Sequence, residues 1–271
     1  MRSRIGEALH LRHEPVAILW RDERPEGALG FKGCGQGCSM VLFALAAARG
    51  RTAAFDRDNF GCFGGGVGLG FGEQYERFPG GIEAFSCFLS SGLRSSGRDD
   101  LIREVCSIDR RDLVENFLEG ERYKRSPELV KAFLEGLPAM EVPNRYVVLR
   151  PLKDLTEEEV PVVVAFLADP DQISALVVLA NYDRPGVENV IVPMGAGCHQ
   201  IGIYAYREAE RKEPRCVLGL TDPSARKNVR HILGDDLFTF AVPFSRFREM
   251  EENVEGSFLE RSTWRSLAGD G

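Results

Sequence analysis

FGCFGGGVGLGFG, Phe60 to Gly72, is the stretch around which the rest of the chain is read. Seven of its thirteen residues are glycine, and Cys62 stands near its start. Glycine at that density costs backbone entropy, so a folded chain keeps it where it needs positive φ or a close approach. The run follows the strand-like Thr52–Phe55 and reads as a loop wrapped around something. Two further glycine-flanked cysteine sites share its character: Gly33-Cys34-Gly35-Gln36-Gly37-Cys38, and Gly195-Ala196-Gly197-Cys198-His199. The expectation is that the three loops meet.

A chain of 271 residues supports a substantial core, and 44% hydrophobic with 28% charged residues is ordinary for a globular enzyme. A net charge of −7 and a pI near 5.3 argue against broad electrostatic binding to nucleic acid or anionic lipid. No apolar run approaches the ~20 residues a membrane helix needs, and the N-terminus lacks the apolar core of a secretory signal. A cytoplasmic location is expected, with no nucleic-acid or membrane partner, a small-molecule ligand, and a homo-oligomer on general grounds. The seven cysteines are an odd number in a chain that needs no staples, so they are core filler, nucleophiles or metal ligands.

Outward from the glycine run, Val16–Trp20, Thr52–Phe55, Tyr146–Leu149, Val160–Leu167, Val187–Val192, Arg215–Leu220 and Leu237–Val242 read as strands. Helices are expected over Arg2–Leu11, Cys38–Arg49 with Gly50 as C-cap, Asp109–Leu118, and from Ser126-Pro127 to before Pro138. Others are expected from Asp169-Pro170 to Ala180, over Cys198–Ala209 and Pro223–Leu233, and through Ser245–Leu267 with a break near Gly256. The alternation points to an α/β fold, a mixed and largely parallel sheet with helices packed on it and cysteine loops at strand ends. One domain, 1–271, is expected, with a helical insertion or sub-domain at about 81–144.

Glycines beside sulfur let backbone N–H groups point at thiolates, and a helix beginning at Cys38 or Cys198 is expected to lower the thiol pKa. Four thiolates from Cys34, Cys38, Cys62 and Cys198 suit zinc or an iron–sulfur cluster; three leave one position open. The opposing readings are inert packing and a redox-active or nucleophilic thiol. Cys87, Cys106 and Cys216 sit in segments that read as core. His199 is expected to be a hydrogen-bonding residue.

Phosphate binding is the other chemistry a glycine run suggests. No strict G-x-G-x-x-G and no P-loop Gly-Lys-Ser/Thr occurs, and H-E-x-x-H and G-x-S-x-G are absent. A better anion site is TDPSARK, Thr221 to Lys227. There Asp222 serves as cap, Pro223 opens the helix, and Ser224, Arg226 and Lys227 surround its N-terminus. Ordinary capping with solvated charges is the plain alternative.

The strings AARGRTAAFDRDNFGCFGGGVGLGF, PDQISALVVLANY, GAGCHQIGIYAYREAE, LGLTDPSARKNVR and MEENVEGSFLERSTW resemble family 169 of the domains of unknown function, over roughly Pro15 to Leu259. The resemblance marks Cys38, Cys62 and Cys198 as family-type positions and implies no activity. Where relatives show Cys-Pro-Gly-Gly, this chain has Cys62-Phe63-Gly64-Gly65. The resulting expectation is a 4Fe–4S cluster, with zinc as the alternative. Cys38, Cys62 and Cys198 are its main ligands and Cys34 the fourth; Gly64, Gly65, Gly66, Gly197, Ser224 and Arg226 line the ligand site. The competing class is a non-enzymatic module that holds a small anion or nucleotide.

Overall fold

A computed structural model describes residues 1–34, 37–107 and 111–269, and for 111–113 the backbone alone. Its contacts divide the chain into two units: unit 1 is Met1–Gly72 with Met140–Gly271, and unit 2 is Glu73–Ala139. Unit 1 opens with α1 (Arg4–Ala8), β1 (Val16–Arg21), α2 (Ser39–Arg49), β2 (Ala53–Phe55) and α3 (Phe63–Gly68). Unit 2 carries α4 (Gly81–Leu89), α5 (Asp99–Cys106), α6 (Arg111–Glu119) and α7 (Pro127–Glu135). Unit 1 resumes with β3 (Tyr146–Pro151), β4 (Val163–Ala168), α8 (Pro170–Leu179), β5 (Val190–Ile191), α9 (Gly197–Ile201) and α10 (Ile203–Ala209). It closes with β6 (Cys216–Gly219), α11 (Pro223–Leu233), β7 (Phe238–Pro243), α12 (Phe244–Glu252) and α13 (Ser262–Ala268).

Each strand-like run read from the sequence enters one seven-stranded sheet, in the order β2-β3-β1-β4-β7-β6-β5. The fold is α/β and the sheet is mixed, but it is mostly antiparallel: among the strands of the described residues, only β5 and β6 pair in parallel. The expectation of a largely parallel sheet is corrected here, for a physical reason. A continuous apolar run such as VVAFLA in β4 reports burial on both faces, and β4 is buried at every position. Two-sided burial is common in parallel sheets. It arises equally in an antiparallel strand that carries helices on both sides.

One face holds a continuous core. Val148, Val164, Phe166, Phe240 and Val242 pack there with Leu176 and Leu179 of α8, Phe247 and Met250 of α12, Ile5 and Leu9, and Trp264. The alternate residues Val147, Leu149, Val163, Ala165 and Ala241 are also fully buried and face the other layer. That layer is built on α2, α9 and α10, which pack against the sheet, and it carries the cysteine loops.

Helix boundaries follow their caps. Ser126 caps α7, with Pro127 at its first position. Asp169 and Gln172 form a reciprocal capping box at the start of α8, and Asp222 caps α11. Gly50 ends α2 in the left-handed conformation. The expected helix over Asp109–Leu118 begins on residues outside those described, and its remainder is α6.

Two expectations change in unit 1. The glycine run is not wholly loop: residues 63–68, FGGGVG, form α3. The helix expected over Cys198–Ala209 breaks at Gly202, whose φ and ψ are both −108°. The two departures share a cause. A Cβ on Gly202 would overlap the Gly68 carbonyl, so α3 and the α9–α10 junction meet backbone to backbone. Poor intrinsic helix propensity in FGGGVG is overridden by this tertiary contact.

Candidate thiol site

Four helix N-termini converge in unit 1, and three of them carry a cysteine. Cys38 is the N-cap of α2, Cys62 the N-cap of α3, Cys198 the second residue of α9, and Asp222 the N-cap of α11. The expectation that the three cysteine loops meet is answered by specific contacts.

The α2 and α3 termini are joined by the Ser39 hydroxyl, which donates to the Phe60 carbonyl at 2.8 Å. Cys62 Sγ accepts from the Gly65 N–H at 3.3 Å and from the backbone of Ser39. The α3 and α9 termini are joined by Cys198, whose Sγ donates to the Gly64 carbonyl at 3.0 Å. The glycine at 68 is required here. A Cβ at that position would lie 2.7 Å from both the Cys198 carbonyl carbon and the His199 nitrogen, closer than packed atoms come. At the third seam, a Cβ on Gly197 would meet Met40 Cγ at 3.1 Å and Ala225 Cβ at 3.3 Å, which brings α2, α9 and α11 together.

The thiols differ in access: Cys198 is buried, while Cys38 and Cys62 are half-buried. All three titrate high. Desolvation is the main cause and pushes Cys38 up to about 12. It also raises Cys62 and lifts Cys198 well above the ordinary thiol range. The Cys62 and Cys38 sulfurs raise Cys198 further, and Asp222 raises all three. The expected lowering by helix N-termini is thus reversed. Backbone N–H groups do pull Cys38 and Cys62 down, but burial and neighbouring negative charge outweigh them. At neutral pH these are thiols, which does not suit a resting nucleophile.

Cys34 bridges to Gly61, the neighbour of Cys62, and its Sγ donates to the Asp58 carbonyl at 3.5 Å. It is not among the groups that perturb the three thiols. Its neighbours Gly35 and Gln36 lie outside the described residues. Among the described residues, no three His, Cys, Asp or Glu side chains are grouped so as to hold a metal ion.

His199 is buried and hydrogen-bonds the Gly64 backbone; burial lowers its pKa to about 4, so it is neutral. Of the expected lining residues, Gly64 receives Cys198, Gly65 and Gly66 are buried in α3, and Gly197 opens α9. Arg226 is used differently. Its guanidinium donates to the carbonyls of Leu220, Leu237 and Asp235 at 3.2, 2.8 and 2.5 Å and lies 4.8 Å over the Phe238 ring. The helix donors that TDPSARK offered to an anion are taken by Asp222, which accepts from the Ser224 N–H at 2.9 Å and also from Ala225 and the Ser224 side chain. The remaining cysteines divide: Cys216 is buried against Met250 Sδ at 3.8 Å, Cys87 is half-buried, and Cys106 is exposed rather than core.

Sequence reading missed Gln200. This fully buried amide accepts from the Leu220 N–H at 2.7 Å and donates to the Pro193 carbonyl at 2.8 Å and to Thr221 Oγ1 at 2.7 Å. It ties the approach to α9 to the approach to α11. Leu220 is held at a φ of +59°, a left-handed conformation costing a side-chain-bearing residue of order 1–3 kcal/mol. The signal available in the sequence was a glutamine two residues after Cys198.

Compared with known families, residues 4–253 match the model of family 169 of the domains of unknown function, described as "Uncharacterised ArCR". No curated protein and no solved structure matches the chain.

Proposed function

The chain belongs to family 169 of the domains of unknown function, and from the thiol site we propose that it is a metal-binding protein whose Cys38, Cys62 and Cys198 hold an iron–sulfur cluster of the 4Fe–4S type. The observation that carries this reading is the convergence of three cysteines, from three separate segments, at three adjoining helix N-termini. Packing alone gives no reason for three cysteines to come together where Cys62 raises the cost of ionising Cys38 and both raise that of Cys198. A multivalent centre supplies the missing positive charge, and its binding releases the thiol protons.

A cluster suits the site better than a single zinc. Mononuclear zinc draws four ligands to one point. A cluster spreads its thiolates over separate irons, which suits cysteines supplied by three separate segments. Backbone N–H groups from Gly65 and Ser39 at Cys62, and from Met40 and Val41 at Cys38, stabilise thiolate sulfur. When bound, such a centre supplies electron transfer, or Lewis-acid activation of a small anionic molecule at an iron without a thiolate. All seven cysteines are free, which fits a reducing, cytoplasmic setting. No helix among the described residues is long and apolar enough to cross a membrane.

The test is anaerobic purification followed by absorbance, iron, sulfide and zinc quantification. Brown protein that bleaches with dithionite, with iron and sulfide near about four each, is the expected result. Cys38→Ser, Cys62→Ser and Cys198→Ser should each lose the centre. Stoichiometric metal retained in all three, or colourless protein without iron, overturns the proposal.

A further inference from the structure

Unit 2 holds a cavity of about 240 Å³ among α4, α5 and α7. Its floor is apolar: Ala84 of α4 and Leu101 of α5 are buried, with Pro127 of α7 beside them. Its rim is charged and exposed, and carries Glu83 of α4, Lys131 of α7 and Arg98, the N-cap of α5. Cys87, one turn along α4 from Glu83, adds a half-buried free thiol to the wall.

The three charges are neighbours without being hydrogen-bond partners. Glu83 stands 3.9 Å from Lys131 Nζ and 4.0 Å from Arg98 Nη1, both longer than a hydrogen bond. Among the described residues, neither Lys131 Nζ nor the Glu83 carboxylate makes any hydrogen bond. Arg98 is held in place by Asp100, which takes Nε at 2.9 Å and Nη2 at 2.7 Å and leaves Nη1 toward Glu83. Exposed ion pairs of this kind add at most about 1 kcal/mol. Fold stability therefore gives little reason to gather three under-used charges around one cavity.

We propose that this cavity is a binding site for a free α-amino acid with an apolar side chain. The ligand carboxylate accepts from Lys131 Nζ and Arg98 Nη1, and its ammonium donates to Glu83. Its side chain enters between Ala84, Leu101 and Pro127. A zwitterion matches the rim because both signs of charge are offered there side by side, whereas a plain anion would meet the Glu83 carboxylate. The volume lies below the roughly 300–1,000 Å³ of drug-sized pockets, which suits a ligand of amino-acid size. The site shares no residue with the thiol site and stands whether or not that centre holds iron.

The test is isothermal titration calorimetry of the full chain with leucine and methionine. Beside them run 4-methylpentanoate, which is leucine without the ammonium, and 3-methylbutylamine, which is leucine without the carboxylate. Leucine or methionine should bind, and both truncated probes should bind about tenfold or more weakly. Lys131→Met and Glu83→Gln, at exposed positions, should each weaken the amino acid by a similar factor and leave the near-UV spectrum unchanged. Bound amino acid should also slow alkylation of Cys87 by iodoacetamide, followed by mass spectrometry, and leave the exposed Cys106 unaffected. The proposal is overturned by no binding of either amino acid at about 10 mM, or by equal binding of 4-methylpentanoate. Affinity unmoved in either variant, or Cys87 unprotected, overturns it as well.

Discussion

Gly65→Ala places a methyl group where the Ser39 hydroxyl stands, at the seam between the first turns of α2 and α3. That hydroxyl is buried and is bonded to the Phe60 carbonyl, whose oxygen would lie 2.9 Å from the new carbon. Displacing it costs about 1–3 kcal/mol for overpacking. Leaving the buried carbonyl without its partner costs about 1–3 kcal/mol more. Better helix propensity returns about 0.5–1 kcal/mol. The net loss is about 2–4 kcal/mol, a fall in Tm of about 5–15 °C for a chain of this size. Ser39→Ala alone loses only the hydrogen bond, about 1–2 kcal/mol. In the double variant the overlap with the hydroxyl is gone, while the Phe60 oxygen at 2.9 Å and the facing methyl near 3.2 Å stay tight, so the worst of the overpacking is relieved. A thermal and urea denaturation cycle should find the double variant more stable than Gly65→Ala, with a coupling of about 2 kcal/mol. Simple additivity, or a Gly65→Ala protein that melts within about 1 °C of wild type, would refute the close packing argued for the site wall.

His199 gives a pH signature in the metal-free protein. Its folded pKa, lowered by burial to about 4, lies below the ordinary 6.5, so the unfolded chain binds more protons between those values. Stability is full above about pH 6.5 and is lost as pH falls toward 4, by at most about 3 kcal/mol. Urea midpoints should therefore fall more steeply with acid in wild type than in His199→Gln; equal slopes would remove His199 as the cause. On the opposite face, Arg246 is 1% exposed and bonds Asp183 at 2.9 and 2.5 Å, Glu249 at 2.7 Å and the Ala180 carbonyl at 3.1 Å. Arg246→Met should cost about 2–3 kcal/mol, below the full buried-pair penalty because Asp183 and Glu249 are 33% and 48% exposed. A change under about 0.5 kcal/mol in chemical denaturation would show that network to be dispensable.

Strand existence was legible throughout, since runs such as YVVL and FTFAV carry their burial in composition. Strand direction was not. Two-sided burial looks the same in parallel and antiparallel neighbours, and nothing local in β1 says that it pairs with β3 and β4. Caps were legible wherever a side chain makes them, as at Ser126, Asp169 and Asp222. The α3 helix was hidden because its glycines serve contacts with α9 and Ser39, which sequence spacing does not record. The meeting of Cys38, Cys62 and Cys198 was legible from their glycine neighbours. The placing of Asp222 against Gly197 follows the turn at Leu220, a conformation no sequence rule assigns to leucine.

The glycine run ends in a narrow neck. The Val142 N–H donates to the Gly70 carbonyl at 2.8 Å and the Gly72 N–H to the Met140 carbonyl at 3.0 Å, with Phe71 and Glu141 paired between them. The chain thus leaves for Glu73–Ala139 and returns from it through two neighbouring strands of backbone zipped antiparallel. What lies beyond such a neck can lengthen, shorten or be exchanged while the wall of the thiol site keeps its register. Loop-closure entropy grows only slowly with the length inserted. The neck is therefore a natural point of modular variation, where what is inserted between Gly72 and Met140 can change without altering the register of the backbone that closes it.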